Sequence, residues 1–241
     1  MALRPIFYDT ETTGIKPDKD RIIELAAYDP LENRTFVELI NPECLIPPDA
    51  TAIHHITNEM VGTCPNFSEI GRKFIDFCAD DVVLIAHNNN AFDLPFLRQE
   101  FSRASLKMPS WQFFDTLKWV RRYRPDLPRH KLQFLREIYD ITPNHAHRAL
   151  DDVMVLHKIT CFLLDDLTID QAIAILSTAP VREPNVMPFG KHQGKPLKEV
   201  PVDYVRWLQT SGAFDKPDSQ ALRESFIKLG MILETAVENG H

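Results

Sequence analysis

The chain has 241 residues, which allows one large domain or one ordinary domain with a small module. Hydrophobic residues make up 44% and charged residues 25%, and these fractions exclude both global disorder and a fibrous repeat. The net charge of -7 argues against a nucleic-acid partner, but a basic run between Lys118 and Arg136 makes the charge uneven. Such a run is more often a solvated helical face than a ligand site.

Hydropathy and cysteine usage indicate a protein of the reducing cytoplasm. The longest uninterrupted apolar stretches, such as Val82–Ala86, are far shorter than the roughly 18 residues that cross a bilayer, so no membrane association is expected. The first residues lead directly into a charged, strand-like segment and form no apolar signal sequence. The cysteines are too scattered for a disulfide framework or a CxxC metal site; they are Cys44, Cys64, Cys78 and Cys161.

The order of apolar runs and helical repeats predicts an α/β fold. Three strands come first, then a helix, a strand, a helix and a strand, followed by further helices. The strands are predicted at 4–8, 21–28, 35–40, 82–86 and 111–114, and the helices near 67–78, 94–104, 116–124, 132–139, 146–164 and 168–178. Strands alternating with helices in this way predict a mixed sheet flanked by helices.

The C-terminal part of the chain has the composition of a separate small module. Pro180, Pro184 and Pro188 interrupt regular structure, so we predict a first domain at 1–178, a proline-rich linker at 179–187 and a module at 188–241. Within the module, a helix opened by Pro201 and a final helix at about 219–237 are expected. At this size the module is marginal alone and is expected to lean on the first domain or on a partner.

Two carboxylates lie at the end of the first predicted strand. Asp9 and Glu11 are two residues apart, so on a strand both side chains point to the same face. Like charges at this range repel and raise each other's pKa unless they share a cation. A metal site or a solvated strand end would each account for the pair.

A third acid, Asp93, follows the buried strand Val82–Ala86. The ends of strands are where α/β folds place catalytic groups, so Asp93 is a candidate for the same site. Asp is also a favoured helix N-cap, and the residues after Asp93 have a helical pattern. The residue alone does not decide between the two roles.

The start of the long predicted helix carries a histidine and a pair of acids. His147 is followed by Asp151 and Asp152, and His145 lies two residues earlier. The acids alone could simply stabilise the positive end of the helix dipole. Helix periodicity alone would place Asp151 beneath His147.

Together these features form three motifs in a fixed order. They read Asp9-Thr10-Glu11-Thr12-Thr13-Gly14, Asn89-Asn90-Ala91-Phe92-Asp93, and His147 with Asp152 five positions on. The set resembles the DEDDh family of 3'-to-5' exonucleases, also called DnaQ-like, over roughly residues 5 to 165. The resemblance implies a ribonuclease-H-like, mixed five-stranded sheet flanked by helices.

The resemblance also implies which residues carry the chemistry. The carboxylates would hold two divalent metal ions, Mg²⁺ or Mn²⁺, since hard oxygen ligands suit these cations; they are Asp9, Glu11, Asp93 and Asp152. His147 would be the general base, and family spacing selects it over His145 and selects Asp152 over a solvent-facing Asp151. The residues implied to surround the terminal nucleotide are Thr12, Gly14, Ile15, Ile53, His54 and Phe92.

The expected activity is metal-dependent removal of nucleoside monophosphates from single-stranded 3' ends of nucleic acid, with DNA favoured over RNA. An RNA-trimming exonuclease or oligoribonuclease, and a non-catalytic nucleic-acid-binding or polymerase-docking subunit, remain as alternatives. DNA polymerase or repair proteins are possible partners. The segment from Met187 to Leu197 resembles the small α+β C-terminal module of bacterial exonuclease X-like proteins. Its lysines and aromatics would grip single strands, or the module would serve only for docking.

Overall fold

The computed structural model describes residues 3–142, 148–178, 184–214 and 219–232. The chain divides into two compact units, one ending at Ser177 and one beginning at Thr178. Residues 179–183 of the predicted linker lie outside the described residues.

The first unit is built on a five-stranded mixed sheet with the strand order β3-β2-β1-β4-β5. The strands are β1 (Arg4–Thr12), β2 (Ile22–Asp29), β3 (Arg34–Leu39), β4 (Val82–Ala86) and β5 (Gln112–Asp115). β1 pairs antiparallel with β2 and parallel with β4, so the central strand joins the two halves of the sheet. The predicted mixed sheet is confirmed.

Eight helices of the described residues accompany this sheet. They are α1 (Pro48–His54), α2 (Asn58–Val61), α3 (Phe67–Phe77), α4 (Asp93–Arg103), α5 (Thr116–Tyr123), α6 (Leu132–Ile138), α7 (Ala149–Leu164) and α8 (Ile169–Thr178). The two short helices α1 and α2 were not predicted. The long helix α7 begins at Ala149 rather than near 146, because Arg148 has an extended backbone.

Helices cover both faces of the sheet. Side chains of β1 point alternately to the two faces, so successive residues of β1 pack in different cores. Ile6 and Tyr8 belong to one core, which also contains Phe74 of α3 and Phe96 of α4. Phe7 belongs to the opposite core, which is filled by α5 to α8. Burial on both faces explains why β4 is an unbroken apolar run rather than an alternating one.

The second unit has its own apolar core. Its helices are α9 (Val202–Thr210) and α10 (Gln220–Lys228), and two 3₁₀ turns span Gly190–His192 and Leu197–Glu199. Buried apolar side chains from the turns and both helices pack together, among them Met187, Leu197, Val205, Leu208, Leu222 and Phe226.

The β content of this unit, over its described residues, is an isolated bridge between Val186 and Pro196. The final helix ends at Lys228, and Gly230 follows with a φ of +69°, so within the described residues the helix does not continue as predicted. No described helix in either unit combines the length and apolar character needed to cross a bilayer.

Candidate active site

The site begins with the alternation of side chains along β1. Asp9 and Glu11 lie on the same side of the sheet as Phe7, which packs in the core beneath α7. On the neighbouring strand, Asp9 is paired with Ala26 and Glu11 with Glu24. Both carboxylates therefore project toward the start of α7.

Helix α7 completes a three-carboxylate cluster. Asp152 lies in the first turn of α7 and is buried, with 8% of its surface exposed. Carboxylate oxygens of Asp9, Glu11 and Asp152 lie within 4.8 Å of one another. Three of the four predicted metal ligands are thus brought together by two elements that are far apart in sequence.

The fourth predicted ligand, Asp93, lies beside this cluster. It is the first residue of α4 and is 2% exposed. Its Oδ1 accepts a hydrogen bond of 2.8 Å from the hydroxyl of Thr10, which points to the opposite face of β1 from Asp9 and Glu11. Among the described residues, the group close enough to share one ion comprises Asp9, Glu11 and Asp152, and Asp93 is outside it.

The cluster concentrates negative charge in a partly buried place. Burial, together with the carboxylates of Asp152 and Glu24, raises the pKa of Glu11 to about 8. Burial and the neighbouring Asp93 and Glu11 raise the pKa of Asp9 well above its ordinary value. Burial also raises the pKa of Asp93 to about 7, against the opposing hydrogen bond from Thr10.

This charge distribution fits a divalent cation. Closely spaced carboxylates repel one another when they are ionised. A cation shared between them stabilises the ionised form. The ligand atoms are all hard oxygens, and no histidine or cysteine belongs to the group found among the described residues. Asp9, Glu11 and Asp152 therefore form a ligand set suited to a divalent cation.

A buried glutamate on β2 fixes the start of α7. Glu24 is 1% exposed, and its carboxylate accepts hydrogen bonds of 3.1 Å from the backbone N–H of Ala149 and from the guanidinium of Arg148. Glu24 faces α7 because it is the strand partner of Glu11. Sequence reasoning missed this residue, although a charged side chain within the apolar strand Ile22–Asp29 was a signal.

Two further polar residues support the site, and sequence reasoning assigned no role to either. The side-chain amide of Gln133, on α6, donates a hydrogen bond of 2.7 Å to Asp152 Oδ1. Asp115 is buried at the start of α5 and accepts hydrogen bonds from the backbone N–H groups of Asn88 and Asn90. Asp115 thereby holds the loop that leads into Asp93.

A cavity of about 630 Å³ opens over the carboxylates. All six residues predicted to surround the terminal nucleotide line it, together with Asp9, Glu11 and Asp152; the six are Thr12, Gly14, Ile15, Ile53, His54 and Phe92. Ile15 and Ile53 are 79% and 54% exposed, which leaves two large apolar side chains at its wall open to a ligand.

Local interactions explain how the loop residues reach this cavity. Helix α1 carries Ile53 and His54, and the Nδ1 of the buried His54 accepts a hydrogen bond of 3.0 Å from the backbone N–H of Ile56. Gly14 packs against the carboxylate of Asp20 so closely that a Cβ atom would lie 2.5 Å from Asp20 Oδ2. A larger residue at position 14 would displace the Asp20 carboxylate, which accepts a hydrogen bond from the backbone N–H of Lys16.

The predicted general base, His147, lies outside the described residues, and so does its competitor His145. Arg148, the residue that follows His147 in the chain, is the N-cap of α7.

The sheet order, the flanking helices and the carboxylates at the end of β1 define a ribonuclease-H-like exonuclease fold. A family model described as "Exonuclease" matches residues 6–160, and the chain belongs to this family of exonucleases. The DnaQ-like family predicted from the motifs is confirmed. Residues 183–238 match a second model, described as "Putative quorum-sensing-regulated virulence factor".

Curated relatives share the exonuclease region of the chain. DNA polymerase III subunit epsilon of Treponema pallidum (strain Nichols) is 40% identical over 154 residues, which are 61% of this chain and 70% of that protein. Exonuclease DPD1, chloroplastic/mitochondrial, of Arabidopsis thaliana is 35% identical over 190 residues, which are 72% of this chain and 58% of that protein.

Solved structures agree with this fold. Exonuclease X in complex with 5' overhanging duplex DNA superposes with a TM-score of 0.57 at 25% identity, over 71% of this chain and 99% of that chain. E. coli exonuclease I in complex with a dA16 oligonucleotide superposes with a TM-score of 0.61 over 73% of this chain and 43% of that chain. The latter is 22% identical, so it bears on the fold alone.

Proposed function

We propose that this exonuclease removes nucleoside monophosphates from the 3' end of single-stranded DNA. The observation that carries the proposal is the meeting of Asp9, Glu11 and Asp152 beneath an open cavity of about 630 Å³. The cavity is lined by the residues whose motifs resemble those of 3'-to-5' exonucleases. We also propose that residues 1–178 form the catalytic domain and residues 188–241 a separate module.

In this proposal Asp9, Glu11, Asp93 and Asp152 hold two divalent metal ions, Mg²⁺ or Mn²⁺. Metal ions at such a site supply Lewis-acid stabilisation of the negative charge that develops on the reacting phosphate. The three clustered carboxylates are available for direct ligation, since their oxygens lie within 4.8 Å of one another. Asp93, whose Oδ1 accepts a hydrogen bond from Thr10, would contribute the fourth carboxylate.

The remaining residues would bind and orient the end of the strand. Ile15 and Ile53 offer exposed apolar surface to the terminal base, and Phe92 offers its ring to the sugar. His147 would accept the proton of the attacking water, because an imidazole with a pKa near 6.5 is largely neutral at cytoplasmic pH. The basic run from Lys118 to Lys131 would attract the phosphate backbone.

Several comparisons support DNA over RNA as the substrate. The Treponema relative is by name a subunit of a DNA polymerase, and the solved exonuclease X structure contains duplex DNA. The same relative supports a DNA polymerase as a partner. An RNA-trimming activity is the second candidate, because the sequence motifs do not distinguish deoxyribose from ribose.

The test uses the purified full-length chain and matched DNA and RNA oligonucleotides with a label at either end. With Mg²⁺ or Mn²⁺, a 5'-labelled DNA strand should shorten stepwise, while a 3'-labelled strand should release labelled mononucleotide at once. Asp9→Asn should lower the rate by about 10³-fold or more, because it removes a charged ligand from the metal site. Asp151→Asn is the matched control and should retain most activity.

Residual activity of Asp9→Asn above about a tenth of the wild-type rate would overturn the metal-site assignment. Release of label from the 5' end first would overturn the polarity. A faster reaction on RNA than on DNA would replace the proposed substrate by the second candidate.

A further inference from the structure

An ion cluster joins the C-terminal end of α4 to the start of β2. Glu100 is 1% exposed, and its carboxylate accepts hydrogen bonds from Nε and Nη2 of Arg21, at 2.7 and 3.1 Å. Arg103, one turn further along α4, donates to Glu100 Oε1 at 3.2 Å. The backbone N–H of Ile22 donates to the same oxygen at 3.3 Å. Two guanidinium groups are therefore fixed around one buried carboxylate.

The guanidinium of Arg103 also binds the loop between β1 and β2. Its Nη1 donates to the backbone carbonyl of Asp20 and its Nη2 to that of Pro17, both at 2.8 Å. A guanidinium is planar and presents its donors in a fixed fork, so the two carbonyls are held in a defined place relative to α4. We call residues 14–20 the Ile15 loop.

The Ile15 loop has no buried side chain of its own. Its residues are all partly or fully exposed, and Ile15 is 79% exposed. The N–H of Asp20 donates to the carbonyl of Lys16 at 2.7 Å, which closes a turn within the loop. Among the hydrogen bonds of the described residues, those that reach the loop from outside the β1–β2 hairpin are the two from Arg103. The place of the loop relative to the rest of the fold therefore depends on Arg103.

The packing of α4 does not require this ion cluster. Phe96, Leu97 and Phe101 already bury the helix in the core of the sheet. Removing charged groups from water costs free energy, and replacing a buried ion cluster by apolar residues is often neutral or stabilising. A bidentate pair of guanidinium and carboxylate instead imposes one geometry on the groups that it joins. The geometry imposed here is the position of the Ile15 loop relative to α4.

That geometry bears on the proposed nucleotide cavity. Ile15 and Phe92 both line the cavity, and Phe92 is the N-cap of α4. Arg103 lies ten residues after Asp93, the first residue of α4, or about 15 Å along the helix, and it does not line the cavity. One helix therefore sets the position of Phe92 directly and that of Ile15 through Arg103.

We propose that Arg103 is a positioning residue for the terminal nucleotide, because it fixes the gap between Ile15 and Phe92 in which the 3' end binds. The inference rests on the proposed function and adds to it a residue outside the cavity. The clustered carboxylates lie on β1 and α7, away from the Ile15 loop. Loss of the Arg103 guanidinium should therefore weaken binding of the strand end and leave metal binding unchanged.

Steady-state kinetics of the full-length protein on a short oligothymidylate separate binding of the strand from the chemical step. Arg103→Met should raise KM about 10-fold, as expected for loss of much of one apolar contact, and should leave kcat within about twofold of wild type. Arg98→Met removes an exposed arginine from the same helix and is the matched control, which should retain the wild-type KM. Mn²⁺ affinity, measured by calorimetry, should equal that of wild type in both variants.

A conservative variant separates the charge of Arg103 from its geometry. Arg103→Lys keeps a positive charge beside Glu100, but a single ammonium group cannot reproduce the planar fork. It should therefore raise KM in the same direction as Arg103→Met. If circular dichroism shows that Arg103→Met is unfolded, Arg103→Lys takes its place in every measurement.

Two measurements test whether the effect passes through the Ile15 loop. In the metal-free protein without DNA, backbone amides of residues 14–20 should exchange with deuterium faster in Arg103→Met than in wild type or Arg98→Met, while those of α7 should exchange at the wild-type rate. In a chain that already carries Ile15→Ala, Arg103→Met should raise KM by less than about twofold, because the side chain that it positions is absent.

The outcomes distinguish this inference from the proposed function. A wild-type protein without nuclease activity would overturn both. In an active enzyme, a wild-type KM in the Arg103 variants, or unchanged exchange of the Ile15 loop, would overturn the role of Arg103 and leave the exonuclease proposal standing. A raised KM accompanied by equally weakened Mn²⁺ binding would indicate a general loosening of the fold and would also overturn that role.

Discussion

The buried carboxylate of Glu24 accepts a hydrogen bond of 3.1 Å from the backbone N–H of Ala149, the first residue of α7. A carboxylate at a helix N-terminus satisfies an N–H group that has no partner within the helix and interacts favourably with the helix dipole. The contact joins residues 125 positions apart and sets where α7 begins. Because Asp152 lies in the first turn of that helix, Glu24 is a positioning residue for the carboxylate cluster.

Glu24→Ala should therefore impair both folding and metal binding. It leaves the N–H of Ala149 buried without its acceptor, which should lower the free energy of unfolding by about 1 to 3 kcal/mol. Mn²⁺ affinity should also fall, because the first turn of α7 loses its anchor. Urea denaturation and Mn²⁺ titration monitor the two effects, and Glu38→Ala, a partly exposed glutamate of β3, is the control. Equal stability of the two variants would show that Glu24 does not anchor α7.

The amide of Gln133 holds Asp152 from the other side, through the hydrogen bond of 2.7 Å to Oδ1. Groups that hydrogen-bond to a metal ligand typically change metal affinity by about 10- to 100-fold when they are removed. We expect Gln133→Ala to weaken Mn²⁺ binding by that amount, as measured by calorimetry. Gln112→Ala, at an exposed position of β5, should bind Mn²⁺ like wild type. Wild-type affinity in both variants would rule out the proposed orientation of Asp152 by Gln133.

The raised pKa values predict how the metal-free protein responds to pH. Glu11 and Asp93 have pKa values of about 8 and about 7 in the folded protein, above their ordinary values of 4.5 and 3.8. At pH values between the ordinary pKa and the raised pKa of each group, the folded state binds more protons than the unfolded chain. The free energy of unfolding therefore falls as the pH rises. The contribution of these two carboxyl groups to the free energy of unfolding is fully present below about pH 4 and is lost as the pH passes through about 7 to 8.

In EDTA, the free energy of unfolding should therefore decrease by a few kcal/mol between about pH 5.5 and about pH 8.5. Saturating Mg²⁺ should remove most of this decrease, because the metal binds the ionised carboxylates. Denaturant titrations across this range measure the effect, and Glu11→Gln should show a shallower decrease in EDTA. Stability that is constant or rises with pH would contradict the assignment of raised pKa values to these carboxylates.

Local geometry predicted one relationship within the candidate site, and the resemblance to the exonuclease motifs implied the rest of the proposed ligand set. Alternation on a strand places Asp9 and Glu11 on one face, and the described strand β1 has this arrangement. Helix periodicity alone favoured Asp151, whereas the motif spacing selected Asp152, whose carboxylate lies in the cluster. The mixed sheet followed from the order of strands and helices.

The parts that could not be predicted depend on contacts between distant segments. Glu24 is the charged residue inside the apolar run 22–27, and nothing near it in sequence indicates that its partner is Ala149. The role of Gln133 requires that α6 lie beside α7, which periodicity does not predict. Helix α1 was missed because seven residues are too few for a helical repeat and because Pro47-Pro48 resembles a turn.

The last prediction tests the general base. His147 precedes the anchored residue Arg148, whereas His145 is assigned no chemistry. His147→Ala should lower the single-turnover rate on a 5'-labelled DNA strand by about 10² to 10⁴-fold, the range for loss of one general base. His145→Ala should be nearly neutral, and both variants should bind Mn²⁺ like wild type because neither histidine is a proposed ligand. A larger defect in His145→Ala, or equal rates for the two variants, would overturn the motif alignment that selects His147.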